Sequence, residues 1–277
     1  MNKLINIEKV LQDKSPALNK FMPSFIISYL KRIIHQDEFN TNLVKHENLE
    51  GTDFIDASLA DIGVKVETIG LENVPEIGRY IVASNHPLGG LDGLALMLAV
   101  SNKRKDIVFP VNDILLNVKN LRPLFIPINK HGSNAENIQI INETFASDKI
   151  VCYFPFGLVS RKKKGKIMDL EWKSTIITKA KRYKRNIIPT HIEGRNSNFF
   201  YNLSNIRKAL GVKVNIEMLY LVNEMYKQRN STLKITFGKP IPYTTFNSKY
   251  SKKEWAELLR QFSYKLGNDR NAVFEYS

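Results

Sequence analysis

In the segment Asn85-His86-Pro87-Leu88-Gly89-Gly90-Leu91-Asp92, an imidazole precedes a carboxylate across a proline and two glycines. A histidine held by a carboxylate is a general base: the carboxylate fixes the tautomer and stabilises the imidazolium that forms. Such assistance contributes roughly 10²–10⁴-fold in rate. Ile81-Val82-Ala83-Ser84 before it reads as a strand that Pro87 ends, and Gly89-Gly90 permits a tight turn with close backbone approach. The plainer reading is that His86 caps a turn and Asp92 caps the following helix. The conjunction of strand end, Asn-His-Pro, double glycine and Asp-Gly favours a reactive site, because strand-end loops are where α/β folds place working side chains.

The surrounding pattern supplies such a scaffold. The first fifty residues look helical, with Ile5, Val10 and Leu11 on one face and Phe21-Met22-Pro23-Ser24 opening a helix from Phe25 to Ile34. That helix is apolar with basic residues near its end, which suits either a membrane surface or packing on the domain. Another helix is predicted over Asp53–Ile62. Strands are expected at Val64–Ile69, Tyr80–Ser84, Asp106–Val111, Phe125–Ile128, Ile150–Phe154, Asn186–His191, Val214–Tyr220 and Leu233–Phe237. The proline of Phe125–Ile128 places that strand at an edge. Helices are expected at Leu94–Ala99, Asn134–Ser147, Glu171–Tyr183 and Lys252–Leu266, the last capped by Ser251 with Trp255, Leu258, Leu259 and Phe262 on its apolar face. This alternation defines an α/β fold with a mostly parallel central sheet flanked by helices. We divide it into an N-terminal helical segment, residues 1–63, and an α/β domain, residues 64–277.

Composition narrows the partners. The chain has 277 residues, 43% of them hydrophobic, so a sizeable core can be buried. Its 41 Lys+Arg against 27 Asp+Glu give a net charge of +14, which favours an anionic partner. The single cysteine, Cys152, lies in an apolar run, so no disulfide can form within the chain and a reducing compartment is expected. No signal peptide is visible, and no stretch reaches the roughly 18 apolar residues of a spanning helix. The G-x-S-x-G elbow, Walker A loop, G-x-G-x-x-G and C-x-x-C are all missing, which removes the usual warrant for serine hydrolases, P-loop NTPases, Rossmann dehydrogenases and cysteine-zinc modules.

Asn85–Asp92 resembles motif I, N-H-x4-D, of the lysophospholipid/glycerol-phosphate acyltransferase superfamily. It is most similar to a hemolysin-like branch linked to O-acylation of lyso-amino-acid lipids such as ornithine or glycine lipids. Five residues separate His86 from Asp92 where the family has four, and Gly89-Gly90 can absorb the extra one. Pro127-Ile128-Asn129-Lys130 resembles motif II, with Lys130 where an Arg is usual. Phe154-Pro155-Phe156-Gly157-Leu158-Val159-Ser160 resembles motif III, F-P-E-G-T-R-S, with Phe156 at the Glu position and Val159 at the Arg position. Arg161, Lys162, Lys163 and Lys164 follow and can supply the missing cation. Ile187-Ile188-Pro189-Thr190 resembles motif IV. The resemblance implies an acyltransferase-like fold, with His86 as base and Asp92 orienting it. It places Asn85, Gly89, Gly90, Asn129, Lys130, Phe154, Pro155, Gly157, Ser160, Arg161, Lys162 and Pro189 in substrate binding. It also implies no resident cofactor or metal, with acyl-CoA or acyl carrier protein (acyl-ACP) as co-substrate. The acceptor would be a lysolipid, either lysophosphatidic acid or a lyso-amino-acid lipid. The chain would be cytoplasmic and peripheral on the anionic inner face of the membrane, with no nucleic acid expected.

Other readings remain at this point. Arg161-Lys162-Lys163-Lys164-Gly165-Lys166 is a solvated loop if taken alone, and it lacks interleaved aromatics for base stacking. His191 and Glu193 share a strand face that would suit a metal, and Arg195 is a candidate substrate cation or surface ion pair. The alternatives are a non-catalytic basic protein that binds membrane or nucleic acid, and a metal hydrolase built on His86, Asp92, His131 and His191.

Overall fold

Strands covered on both faces read as nearly continuous apolar runs, and the centre of this sheet is made of such runs. The computed structural model describes residues 5–14, 22–111, 113–127 and 134–276. The chain opens with α1 (Ile7–Lys14), α2 (Ser24–Ile33), α3 (Gln36–Lys45) and α4 (Gly51–Asp61). It continues through β1 (Lys65–Ile69), β2 (Tyr80–Ser84), α5 (Gly90–Ser101), β3 (Ile107–Val111), β4 (Phe125–Pro127), α6 (Asn134–Ala146) and β5 (Ile150–Tyr153). Then come β6 (Arg161–Lys163), β7 (Lys166–Met168), α7 (Thr175–Arg182), β8 (Asn186–Ile192), α8 (Asn198–Ala209), α9 (Leu221–Tyr226), β9 (Thr232–Phe237) and α10 (Lys252–Leu266).

The seven-stranded sheet runs β1-β9-β8-β2-β5-β3-β4, and every pairing is parallel except β8 with β9. Period two then sorts the side chains between two cores. Val82, Ile150, Cys152, Ile188 and Ile235 face a core shared with α4 and α5. Ile81, Ala83, Val151 and Ile187 face a second core built with α7 and α10. α5 is apolar almost all round, as a helix buried on all sides must be; its Leu91, Ala95, Leu96 and Val100 are inaccessible to solvent. From the N-terminal segment, Phe54, Ile55 and Leu59 of α4 enter that same core. The Lys252–Leu266 helix carries a capping box, Ser251 accepting from the Glu254 amide while the Glu254 carboxylate accepts from the Ser251 amide.

Several expected elements differ. The helix expected from Leu94 starts at Gly90, so Asp92 lies within its first turn. The helix expected from Glu171 starts at Thr175. The basic run 161–166 is not a loop but the hairpin β6–β7. Lys164 and Gly165 both take positive φ (48° and 78°), as a tight two-residue hairpin turn requires. Val214–Tyr220 is not a strand. Residues Ile216–Tyr220 form a 3₁₀ turn, because Glu217 is drawn inward to two arginines while Val214 and Ile216 stay exposed and Met218 packs on the Val159–Phe200–Tyr201 cluster. α8 had no clear sequence signature; Ser197 caps it by accepting from the Phe200 amide.

Candidate active site

The end of β2 is tied to β8 by one side chain. The Asn85 amide donates to the Ile192 carbonyl (2.9 Å) and accepts from the Ile192 amide (2.8 Å), so both of its ends are used on backbone. Beyond it the chain turns at Gly89, whose φ of +81° favours glycine. A Cβ there would also lie 3.1 Å from the Leu221 side chain, whereas Gly90 faces open space. With the turn closed in this way, the five-residue spacing brings the pair together. His86 Nδ1 lies 3.0 Å from Asp92 Oδ1 and 3.1 Å from Oδ2, and the Leu88 amide donates to Oδ2 at 2.7 Å.

Asp92 is fully buried while the His86 side chain is 17% exposed. The positive end of α5 stabilises the carboxylate in its first turn. Phe154 stacks on the imidazole, with centroids 4.1 Å apart and 18° between planes, and Phe109 meets Phe154 edge-on. The ring is thereby held between an aromatic wall and a carboxylate. Nδ1 is occupied, and among the described residues nothing is hydrogen-bonded to Nε2, so that nitrogen is available to take a proton from a substrate.

A second set of residues holds the backbone of this turn. Asp169 Oδ1 accepts from the His86 amide (3.2 Å) and from Ser160 Oγ (2.6 Å), and Oδ2 accepts from Trp172 Nε1 (2.8 Å). Burial pushes the Asp169 carboxyl pKa up, while its Ser160, Trp172 and His86 partners pull the other way. The Ser160 amide also donates to the His86 carbonyl at 2.7 Å. On the other side, Asn196 donates to the Pro87 carbonyl (3.1 Å), and Gly194 approaches Leu88 so closely that a Cβ would lie 2.8 Å from it. Asp169, Asn196 and Gly194 escaped the sequence reading, since each reaches the turn from a distant part of the chain.

The remaining expected site residues are distributed as follows. Phe154, stacked on His86, and Pro155 are both buried, and Gly157 sits at positive φ in the turn that follows. Phe156, at the family's Glu position, packs against the α7–α10 core. Val159, at the family's Arg position, is buried with Phe200 and Tyr201. The Arg161 guanidinium is buried and engaged by Glu217 (3.0 Å) and the Val159 carbonyl (3.1 Å). Lys162 lies half-buried on β6. Pro189 pairs with Ala83 inside the sheet, wedged with Gly238 and Leu266 on the α10 side. Asn129, Lys130 and His131 fall outside the described residues. Among the described residues, no three His, Cys, Asp or Glu side chains cluster as metal ligands would.

His191 and Glu193 line a cavity of about 440 Å³ behind the turn, together with Pro87, Ser160 and Tyr264. Arg195 bonds to Asn198 at 2.6 Å. Among the described residues His191 Nδ1 is buried without a hydrogen-bond partner, and burial lowers its pKa from 6.5 to about 4. Between these values the unfolded chain binds a proton that the folded one refuses, so stability falls as pH drops from 6.5 towards 4. The full effect is on the order of 3 kcal/mol. Urea melts across that window should show a shallower loss in His191→Gln than in the native chain; parallel losses would assign the acid sensitivity to another group.

Together these features set an imidazole that can act as a general base beside a helix N-terminus whose amides can receive developing negative charge. The acyltransferase family pattern matches residues 9–273, and the chain belongs to that family. It is an acyltransferase enzyme. Over 265 residues it is 46% identical to the lyso-glycine lipid O-acyltransferase of Bacteroides thetaiotaomicron, covering 95% of this chain and 97% of the relative. It is 48% identical over 265 residues to the protein of the same name from Phocaeicola vulgatus, covering 95% of each. A similar solved structure is the 1-acyl-sn-glycerophosphate (LPA) acyltransferase PlsC from Thermotoga maritima, with a TM-score of 0.46 and 15% identity over 91% of this chain and 94% of that one.

Proposed function

We propose that the protein moves a fatty acyl group from an acyl-ACP or acyl-CoA thioester to the hydroxyl of a lyso-glycine lipid, working at the anionic inner surface of the cytoplasmic membrane. The acceptor hydroxyl sits against His86 Nε2. As its oxygen attacks the thioester carbonyl, a C–O bond forms and the hydroxyl proton passes to Nε2. Asp92 holds the ring and stabilises its positive charge. First-turn amides of α5 receive the oxyanion. The C–S bond then breaks, and the proton returns from Nε2 to the departing thiolate, giving an ester and a free thiol carrier. No covalent enzyme intermediate is needed.

The observation that carries this reading is the His86–Asp92 pair at the head of α5, in a chain close to half identical over nearly its full length to two lyso-glycine lipid O-acyltransferases. Membrane work fits a basic chain among whose described helices none is long and apolar enough to cross a membrane. The test is purified protein given acyl-ACP or acyl-CoA with either a lyso-glycine lipid or lysophosphatidic acid. Free thiol and a diacyl product should appear faster with the lyso-glycine lipid. Preference for lysophosphatidic acid would overturn the acceptor, and no transfer from either donor would overturn the reaction.

A further inference from the structure

The 3₁₀ turn that replaced an expected strand belongs to a surface the chemistry at His86 does not use. Phe25 of α2, Phe199, Ile206 and Leu210 at α8, and Val214 and Leu219 beyond it are all exposed; Phe25, Leu210 and Val214 are 72%, 73% and 70% accessible. Single exposed apolar residues are ordinary, but a contiguous group marks an interaction site. Contacts join the elements that carry these residues, α2, α8 and the 3₁₀ turn. The Tyr29 and Tyr220 hydroxyls are hydrogen-bonded at 2.7 Å, their rings meet edge-on, and Phe199 packs on Tyr220 with centroids 4.9 Å apart.

The exposure is fixed by interactions beneath it. Glu217 is fully buried between Arg161 and Arg207, which turns its polar group inward and leaves Ile216 and Leu219 outward. Arg207 also donates to the Val212 carbonyl (2.6 Å) and to Asn215 (2.7 Å), pinning the segment that carries Val214. Glu217 is the only carboxylate from Phe199 to Tyr220, so the segment presents Lys208 and Lys213 with no exposed acidic residue among them. Partial burial lowers the Lys208 pKa, and the neighbouring Arg161, Arg207 and Lys163 add to that while Glu217 opposes it. Leu221, the next residue, rests on Gly89 of the catalytic turn.

We infer that this face, built from α2, α8 and the 3₁₀ turn, docks on an anionic lipid bilayer and delivers the acceptor lipid sideways to His86. The inference rests on the lysolipid reading above and names the surface through which that substrate arrives. An apolar face with tyrosines at its middle and lysines at its rim matches the acyl–headgroup boundary. Its border with Gly89 brings membrane-held lipid to the catalytic turn without passage through water.

The test measures sedimentation with vesicles of phosphatidylcholine alone or mixed with phosphatidylglycerol, with no acyl donor or acceptor present, so it reads independently of catalysis. The native chain should pellet with the mixed vesicles and little with phosphatidylcholine. Leu210→Asp/Val214→Asp should weaken that partition by about tenfold or more, and Lys208→Glu/Lys213→Glu should remove most of the phosphatidylglycerol dependence. Ile77→Asp, at an apolar residue 83% exposed in the β1–β2 connection, should bind as the native chain does. Unchanged melting temperatures show that the variants fold. Native-like binding by Leu210→Asp/Val214→Asp, an equal loss in Ile77→Asp, or a native chain that ignores vesicles and instead self-associates through this face would each overturn the inference.

Discussion

His86→Ala is expected to lower the turnover number by about 10²–10⁴-fold while leaving the fold and the acceptor KM close to native, because a positioned base contributes roughly that much and acts mainly in the transition state. Its geometry argues for the upper part of that range. Asp92 grips Nδ1 through both oxygens at 3.0 and 3.1 Å, and Asp92 is itself fixed by the Leu88 amide at 2.7 Å. The ring therefore presents Nε2 without having to find its tautomer or orientation. Asp92→Asn should be nearly as damaging: it keeps the shape, but an amide nitrogen facing Nδ1 favours the tautomer with its proton on Nε2, which cannot accept one. A fall of up to about 10⁴-fold is the scale for that change. Thiol release assays on the two variants and their combination check the idea. Residues acting as one unit are non-additive, so the double variant should be barely slower than the worse single one. Independent, multiplying losses would mean that the pair does not work as a couple, and near-native thiol release by His86→Ala would remove the base assignment.

How much of this was legible in the sequence follows from the range of each interaction. His86 and Asp92 lie on one turn, and a strand end, a proline, two glycines and a helix start are local facts, so the pair was visible. The central strands were visible because burial on both faces leaves continuous apolar runs such as Ile150–Tyr153. Val214–Tyr220 misled because its alternation of apolar residues is the same whether they face a core or solvent. What decided it was Glu217, whose partners Arg161 and Arg207 lie in other elements. Arg161 likewise looked free to bind substrate, since sequence alone does not reveal the buried carboxylate that engages it. Phe156 and Val159 stood out as departures from the family pattern, but only packing shows that both positions serve the interior.

Asp169 is the residue on which that limit had most bearing, and Asp169→Ala is expected to cost about 2–6 kcal/mol of stability and a further loss of turnover. The ledger has two main parts. The His86 amide and Trp172 Nε1 would be left buried without an acceptor, at roughly 1–3 kcal/mol each. Ser160 would suffer less, because its hydroxyl can turn to the His86 carbonyl, 3.2 Å away. In melting temperature this is a drop of roughly 5–15 °C for a chain of this size. The catalytic effect follows from the same bond. The His86 amide is 3.2 Å from Asp169 Oδ1, across 83 residues of sequence, and with that anchor gone this amide loses its acceptor while Ser160, through its amide and hydroxyl, still holds the His86 carbonyl. A displacement of about 1 Å at a reacting group can cost 10²-fold, so turnover should fall by about 10–100-fold with a smaller change in KM. Asp169→Asn supplies the decisive comparison. Its carbonyl can still accept from the His86 amide and Ser160, while its NH₂ is left facing Trp172 Nε1. It should therefore recover most of the turnover but only part of the stability. If alanine and asparagine lose stability while both turn over substrate at the native rate, Asp169 supports the fold and not the placement of His86.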